Sequence, residues 1–166
     1  MEWFTAWNRR KTLFIFLIMA ALILTAITIG GRVLENEAMV TDFSRKNLAP
    51  CPAYPFGTDW MGRDMFVRTI TGLSLSIRIG LLTAAVSALI ACFMGTAAAC
   101  LGKAADGLVG IVIDLVMGIP HILLLILISF AAGKGFWGVM AGISLTHWTS
   151  LARLLRAEVM QLKERQ

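Results

Sequence analysis

The side chains of this sequence that could do chemistry stand inside or beside long apolar runs. Asp114 lies in the apolar run 108–132, and a charge at such a position is costly enough to mark a functional site. A continuous helix would place Met117 and His121 on the same stripe as Asp114, because seven residues advance a helix by nearly two turns. Two interpretations are open: the stripe lines a polar pathway, or Asp114 forms a structural ion pair with a cation such as Arg153.

Histidine chemistry is the second possibility. His147 joins Asp114, Met117 and His121 as a pathway candidate, and two histidines with nine methionines suit transition metals in principle. Two histidines on separate helices constrain a site weakly, so we predict no metal site. The sequence contains no HExxH, GxSxG or P-loop motif, so we predict no catalytic residue and no cofactor.

The elements that must position these residues are membrane helices. The chain is 58% hydrophobic and 15% charged, whereas soluble proteins average about 45–50% and 25%. The run Thr12–Ile29 has no charge and would span about 27 Å as a helix. Three further runs cover 79–101, 108–132 and 136–151. We therefore predict an all-α, polytopic membrane helical bundle of about four transmembrane helices, with Cys92 and Cys100 buried as small apolar residues.

Charge and proline set the expected boundaries. We predict a cytoplasmic N-terminus at 1–11, the first span at 12–29, an extracytoplasmic loop at 30–76, three spans within 77–155, and a cytoplasmic segment at 156–166. The N-terminal and C-terminal segments carry most of the unbalanced basic residues, so both are expected inside. The net charge of +5 forms no continuous patch with interleaved aromatics, which excludes a nucleic-acid partner and leaves membrane lipid.

The loop segment 55–64 carries a recognisable motif, Pro-Phe-Gly-Thr-Asp-Trp-Met-Gly-Arg-Asp. It resembles the P-x-G-T-D-x-x-G-R-D signature that follows the first membrane helix in permease subunits of dipeptide, oligopeptide and nickel ABC importers. The glycines permit tight turns, and the charged residues can form a local ion-pair and capping network. We interpret that network as folding the loop, in preference to contacting substrate. The motif residues are Gly57, Thr58, Asp59, Gly62, Arg63 and Asp64.

The resemblance continues towards the C-terminus. Residues 114–120 are similar to the family's D-x-x-x-x-x-P helix, and 146–156 look like its S-H-W...A-R-x-x-R stretch. Residues 162–165, Leu-Lys-Glu-Arg, resemble the sequence that leads into the family's cytoplasmic loop. The resemblance therefore implies an ATPase-proximal segment, with candidate residues Arg153, Arg156, Lys163 and Glu164.

What the resemblance implies is a transport component without covalent chemistry of its own, in the bacterial cytoplasmic (inner) membrane. The expected partners are a second permease subunit in a heterodimer, ATP-binding ABC subunits that hydrolyse ATP separately, and an extracytoplasmic substrate-binding protein. Peptide and nickel permeases share these motifs, so both substrate classes stay open.

One departure from the family pattern concerns the end of the sequence. The family continues with an E-A-A-x-x-x-G coupling helix and two more spans, six in all, whereas this sequence stops at Gln166. We therefore expect the N-terminal portion of a permease. The alternative is a non-transporting membrane structural or assembly protein, or a nonfunctional truncated permease remnant.

Overall fold

The computed structural model describes residues 2–164 and the side chains of 9–163. Arg165, Gln166 and the side chain of Glu164 lie outside that description. Within it the chain is 79% helical and without strands, so the predicted all-α class is confirmed. The helices are α1 Glu2–Val33, α2 Met65–Cys100, α3 Lys103–Gly118, α4 His121–Ala131 and α5 Phe136–Glu164. Two short 3-10 turns, Glu37–Met39 and Phe43–Arg45, interrupt the loop between α1 and α2.

By length and apolar composition, two or three helices in the described chain are candidate membrane spans, compared with about four predicted. Two helical segments in the described chain, Arg9–Val33 and Met65–Cys100, are long and apolar enough to cross a membrane. The pair α3 and α4 adds a third candidate if it counts as one span bent by 94°. Helix α5 does not qualify, because hydroxyl, imidazole and guanidinium groups recur along it.

The predicted run 108–132 is not one continuous helix. Helix α3 ends at Gly118 and α4 begins at His121, with Ile119 and Pro120 extended between them. Proline lacks the backbone donor for the carbonyl four residues earlier and its ring crowds the preceding turn, so a break forms here. The expectation that Asp114 and His121 share one helical stripe is therefore wrong.

The chain divides into two compact units, Met1–Arg78 and Ile79–Gln166. In the first unit, α1 and the start of α2 approach most closely where Gly31 faces Ser74, with no room for a Cβ on the glycine. The Ser74 hydroxyl donates a hydrogen bond to the Thr28 carbonyl oxygen at 3.1 Å. Small and hydroxylated side chains thus let the two backbones pack closely, as expected for helices in lipid.

The second unit packs the latter half of α2 with α3 and α5. Its core contains Ala91, Ala98, Val109, Ile113, Trp148 and Ala152. The Ser87 hydroxyl donates to the Ser144 carbonyl oxygen at 3.2 Å, and further along both helices Gly95 lies against Ala152. The second contact lies closer to the C-terminus than the first on both helices, so α2 and α5 run parallel. The alanines and the glycine of α2 leave the space that α5 and its Trp148 occupy.

Much of the remaining helical surface is apolar and uncovered in the isolated chain. Large apolar side chains of α1 and α4, such as Leu17, Leu22, Ile122 and Phe130, are more than half exposed. Such a surface must be covered by lipid or by another protein. Cys92 and Cys100 are also exposed, so their predicted burial within the chain is wrong: the close packing of α2 uses its alanine and glycine face instead.

Candidate functional site

The outer-loop motif is organised around the Asp59 carboxylate. It accepts hydrogen bonds from the backbone N–H groups of Met61 at 2.8 Å and Arg63 at 3.0 Å. The Arg63 Nε donates to the same carboxylate at 2.8 Å, and Arg68 Nη1 lies 3.8 Å away. Burial raises the pKa of Asp59, but the hydrogen bonds from Arg63 and Met61 outweigh it and hold that pKa below its ordinary value.

Two further motif residues tie the loop to itself and to α2. The buried Thr58 hydroxyl accepts from the Leu48 N–H at 2.9 Å and donates to the Arg45 carbonyl. The Asp64 carboxylate accepts from the Phe66 N–H at 2.8 Å in the first turn of α2, which is the role of a helix N-cap. The ion-pair and capping network expected from the sequence is therefore present.

The two motif glycines have positive φ angles, +69° at Gly57 and +75° at Gly62. A Cβ at Gly57 would overlap the Leu48 carbonyl, and one at Gly62 would overlap the Asp42 carbonyl. Both positions therefore require glycine for conformation and for space. The motif's spacing serves to close the loop backbone on itself.

Asp42 is a loop residue that the sequence reasoning did not single out. Hydrogen bonds from the Ser44 hydroxyl at 2.6 Å and from Arg45 Nε at 2.7 Å lower the pKa of Asp42 to about 2. Arg45 also contacts the Tyr54 hydroxyl. The signal available in the sequence was the Asp-x-Ser-Arg pattern, which suits a carboxylate that caps the following turn.

A cavity of about 580 Å³ lies at the break between α3 and α4, facing α5. Its lining includes three of the four pathway candidates, Met117, His121 and His147, together with Pro120 and Ser150. The remaining candidate, Asp114, is not among its lining residues. The structure thus brings the sulfur and imidazole side chains together by bending the chain, and directs Asp114 elsewhere.

The two histidines of the cavity are in contact. The ring centroids of His121 and His147 are 5.0 Å apart and the ring planes are inclined by 71°. The Thr146 hydroxyl lies 3.4 Å from His147 Nδ1 and donates to the Gly142 carbonyl at 2.9 Å. Among the described residues no group of three or more His, Cys, Asp or Glu side chains is placed to hold a metal ion.

Asp114 takes part in the ion pair that the sequence allowed as an alternative. Arg153 Nη2 of α5 donates to Asp114 Oδ1 at 3.0 Å. Arg156, three residues further along α5, donates through Nη2 to Asp106 Oδ2, which lies eight residues before Asp114 in α3, at 2.6 Å. The sequence reasoning missed this pair. The Lys163 ammonium donates to the Ala99 carbonyl near the end of α2. Three of the four ATPase-proximal candidates thus bind α5 to its neighbours.

Arg78 is a further residue that the sequence reasoning missed. It lies inside α2 and its side chain is 22% exposed, with Nη2 4.0 Å from the Glu35 carboxylate. The available signal was an arginine that directly precedes an apolar run. We predicted that the span begins near residue 77, which put Arg78 at its edge. Helix α2 starts at Met65, so Arg78 lies inside the helix.

Comparison with known proteins places these features in a wider group. Residues 87–166 match the family described as "Binding-protein-dependent transport system inner membrane component". The chain is 30% identical over 165 residues to the dipeptide transport system permease protein DppC of Bacillus subtilis, covering 95% of this chain and 50% of that protein. It is 31% identical over 155 residues to the oligopeptide transport system permease protein OppC of the same organism, covering 90% and 51%. The chain spans about half the length of these relatives.

Proposed function

We propose that this chain, whose residues 87–166 match the family described as "Binding-protein-dependent transport system inner membrane component", forms part of the substrate pathway of a peptide importer. Both relatives described above are named as peptide permeases, which favours peptides over nickel as the cargo. As a multi-pass membrane protein and permease component, the chain would reside in the bacterial cytoplasmic membrane and carry out no covalent chemistry.

The observation that carries this proposal is the polar cavity at the helix break. Discontinuous helices are a common way for transporters to present polar groups to a cargo within the membrane. Here the break between α3 and α4 exposes backbone and the side chains of Met117, His121 and His147 to one cavity. Its volume of about 580 Å³ lies in the range of small-ligand sites.

Asp114 has a different role in this proposal. Its pairing with Arg153 makes it a positioning residue for α5, the helix that supplies His147 to the cavity. The pair joins α3 to α5 on the α3 side of the bend.

The C-terminal half of α5 is the proposed contact region for the ATPase. Arg156 and Lys163 attach this segment to α3 and α2, so a force applied there would reach both helices. We propose that ATP is hydrolysed by separate ABC subunits, that a second permease subunit completes the pathway as a heterodimer, and that an extracytoplasmic binding protein delivers the peptide.

The test is site-directed blockage of the cavity. The transporter is assembled from a cysteine-free version of this chain together with its partner subunits. In that background Ser150→Cys places one thiol in the cavity lining. Reaction with a bulky methanethiosulfonate reagent should abolish uptake of a radiolabelled dipeptide. The matched control is Leu127→Cys, because Leu127 is 62% exposed on α4 and outside the lining.

Two results would contradict the proposal. Uptake that persists after complete labelling of position 150 would remove the cavity from the pathway. Absence of dipeptide uptake by the unlabelled transporter, with all partners present and assembled, would reject the assigned activity.

A further inference from the structure

In place of the absence of a metal site expected from the sequence, we propose that His121 and His147 form a binding site for a late first-row transition-metal ion at the break between α3 and α4. This inference goes beyond peptide transport and does not depend on it. It rests on the distance between the two imidazole rings, on the other groups of the cavity, and on the position of the chain's histidines.

The separation of the imidazole rings fits joint coordination. Metal–nitrogen bonds of about 2.0–2.1 Å and ligand angles between about 90° and 109° place the centres of two imidazoles about 4.5–5.2 Å apart. The rings of His121 and His147 are 5.0 Å apart. The terminal torsion of histidine is broad, so ring rotation is the movement by which one nitrogen of each ring would face a common ion.

The cavity offers further donors of suitable chemistry. Met117 lines it, and thioethers bind soft, late transition metals. Pro120 has no N–H to donate to the Val116 carbonyl, and Val116 also lines the cavity. This carbonyl is the kind of unwound-helix acceptor that coordinates cations in other broken membrane helices.

The residues that are absent from the cavity define the class of site. No cysteine or carboxylate is among its lining residues, which makes a closed structural zinc centre a poor fit. A metal ion bound by two imidazoles and a thioether has coordination positions left for water or for another ligand. We therefore infer an open, exchangeable site that selects nickel- or copper-like ions over Mg²⁺ and Ca²⁺, which prefer oxygen ligands.

The histidine content of the chain makes the site unusually easy to test. His121 and His147 are the only two histidines among 166 residues. The chain is purified with a histidine-free affinity tag after its three cysteines are replaced by serine, and Ni²⁺ is titrated in lipid nanodiscs. We expect one saturable Ni²⁺ per chain, and about tenfold or greater weakening in His121→Asn and in His147→Asn, because loss of a ligand exceeds the effect of losing an outer-shell partner.

The controls separate coordination from folding. Thr96→Ala, an exposed position on α2, should bind Ni²⁺ as the parent chain does. Met117→Leu keeps the side-chain volume and should weaken binding of Cu⁺ more than that of Ni²⁺. With Cu²⁺ as the probe, electron paramagnetic resonance of the parent chain should show coupling of one ion to two imidazole nitrogens, which requires His121 and His147 to bind the same ion.

Two outcomes would overturn the inference: no saturable Ni²⁺ binding to the parent chain, or binding that is unchanged in the double variant His121→Asn/His147→Asn. Neither outcome involves peptide uptake. The metal site and the proposed transport function can therefore fail independently of each other.

Discussion

Arg153 of α5 donates a hydrogen bond to Asp114 of α3 over 3.0 Å, although the two side chains are 52% and 75% exposed. The neighbouring pair of Arg156 with Asp106 joins the same helices with side chains only 33% and 23% exposed. The two pairs thus offer a matched comparison of the same chemistry at two degrees of burial.

We expect Asp114→Asn to destabilise the chain in detergent only slightly, because little of this pair is enclosed by the rest of the chain. Asp106→Asn should be more destabilising, since its partner cation is left in a drier site. Thermal unfolding of both variants in the same detergent shows which substitution causes the larger loss of stability. A larger loss in Asp114→Asn would contradict the assignment of Asp114 as the weaker positioning contact.

The close approach of α2 and α5 gives a second prediction. A Cβ at Gly95 would lie 3.0 Å from the Ala152 carbonyl oxygen, whereas one at Gly80 of the same helix meets nothing within 4 Å. Gly80→Ala should therefore stabilise the helix by up to about 1 kcal/mol through propensity alone. Gly95→Ala should lose that gain and lower the unfolding temperature, because the helices must separate. Equal stabilisation by both substitutions would show that α2 and α5 do not pack as described.

The folded structure of the outer loop should become less stable in acid. Asp42 and Asp59 have pKa values lowered in the folded chain, that of Asp42 to about 2. A carboxylate with a lowered folded pKa stabilises the fold above its unfolded pKa of about 3.9 and loses that contribution as the pH falls towards the folded value. We expect pepsin cleavage within 34–64 to accelerate between about pH 4 and pH 2. At pH 4 the Asp42→Asn variant should be cleaved faster than the parent chain. Its cleavage rate should then increase less than that of the parent as the pH falls to 2. A pH-independent cleavage ratio between the variant and the parent chain would contradict this assignment.

Membrane topology can be tested with native thiols, because all three cysteines are exposed in the chain. Cys51 belongs to the outer loop and Cys100 to the end of α2. In variants that keep one of these cysteines, an impermeant maleimide applied to intact cells should label Cys51 alone, and Cys100 should react only after the membrane is opened. Labelling of Cys51 from the cytoplasmic side only would reverse the predicted orientation.

The sequence determined the local features of this protein. Charge-free apolar runs predicted the first two long helices, because no soluble fold can bury them, and glycine and acidic residues at fixed spacing predicted the loop network around Asp59 and Asp64. These features depend on neighbours within a few residues, so the pattern is sufficient to predict them.

Tertiary structure alone decided the geometry of the cavity. Pro120 predicted a disturbed helix. The 94° bend, however, depends on how α3 and α4 pack against α5. Because of that bend, His121 does not lie on the same helical stripe as Asp114. The pairing of Asp114 with Arg153 and the contact of His121 with His147 join residues more than twenty positions apart. Such contacts follow from helix register and crossing geometry, which depend on the packing of several side chains at once and are not encoded in the spacing of any one segment.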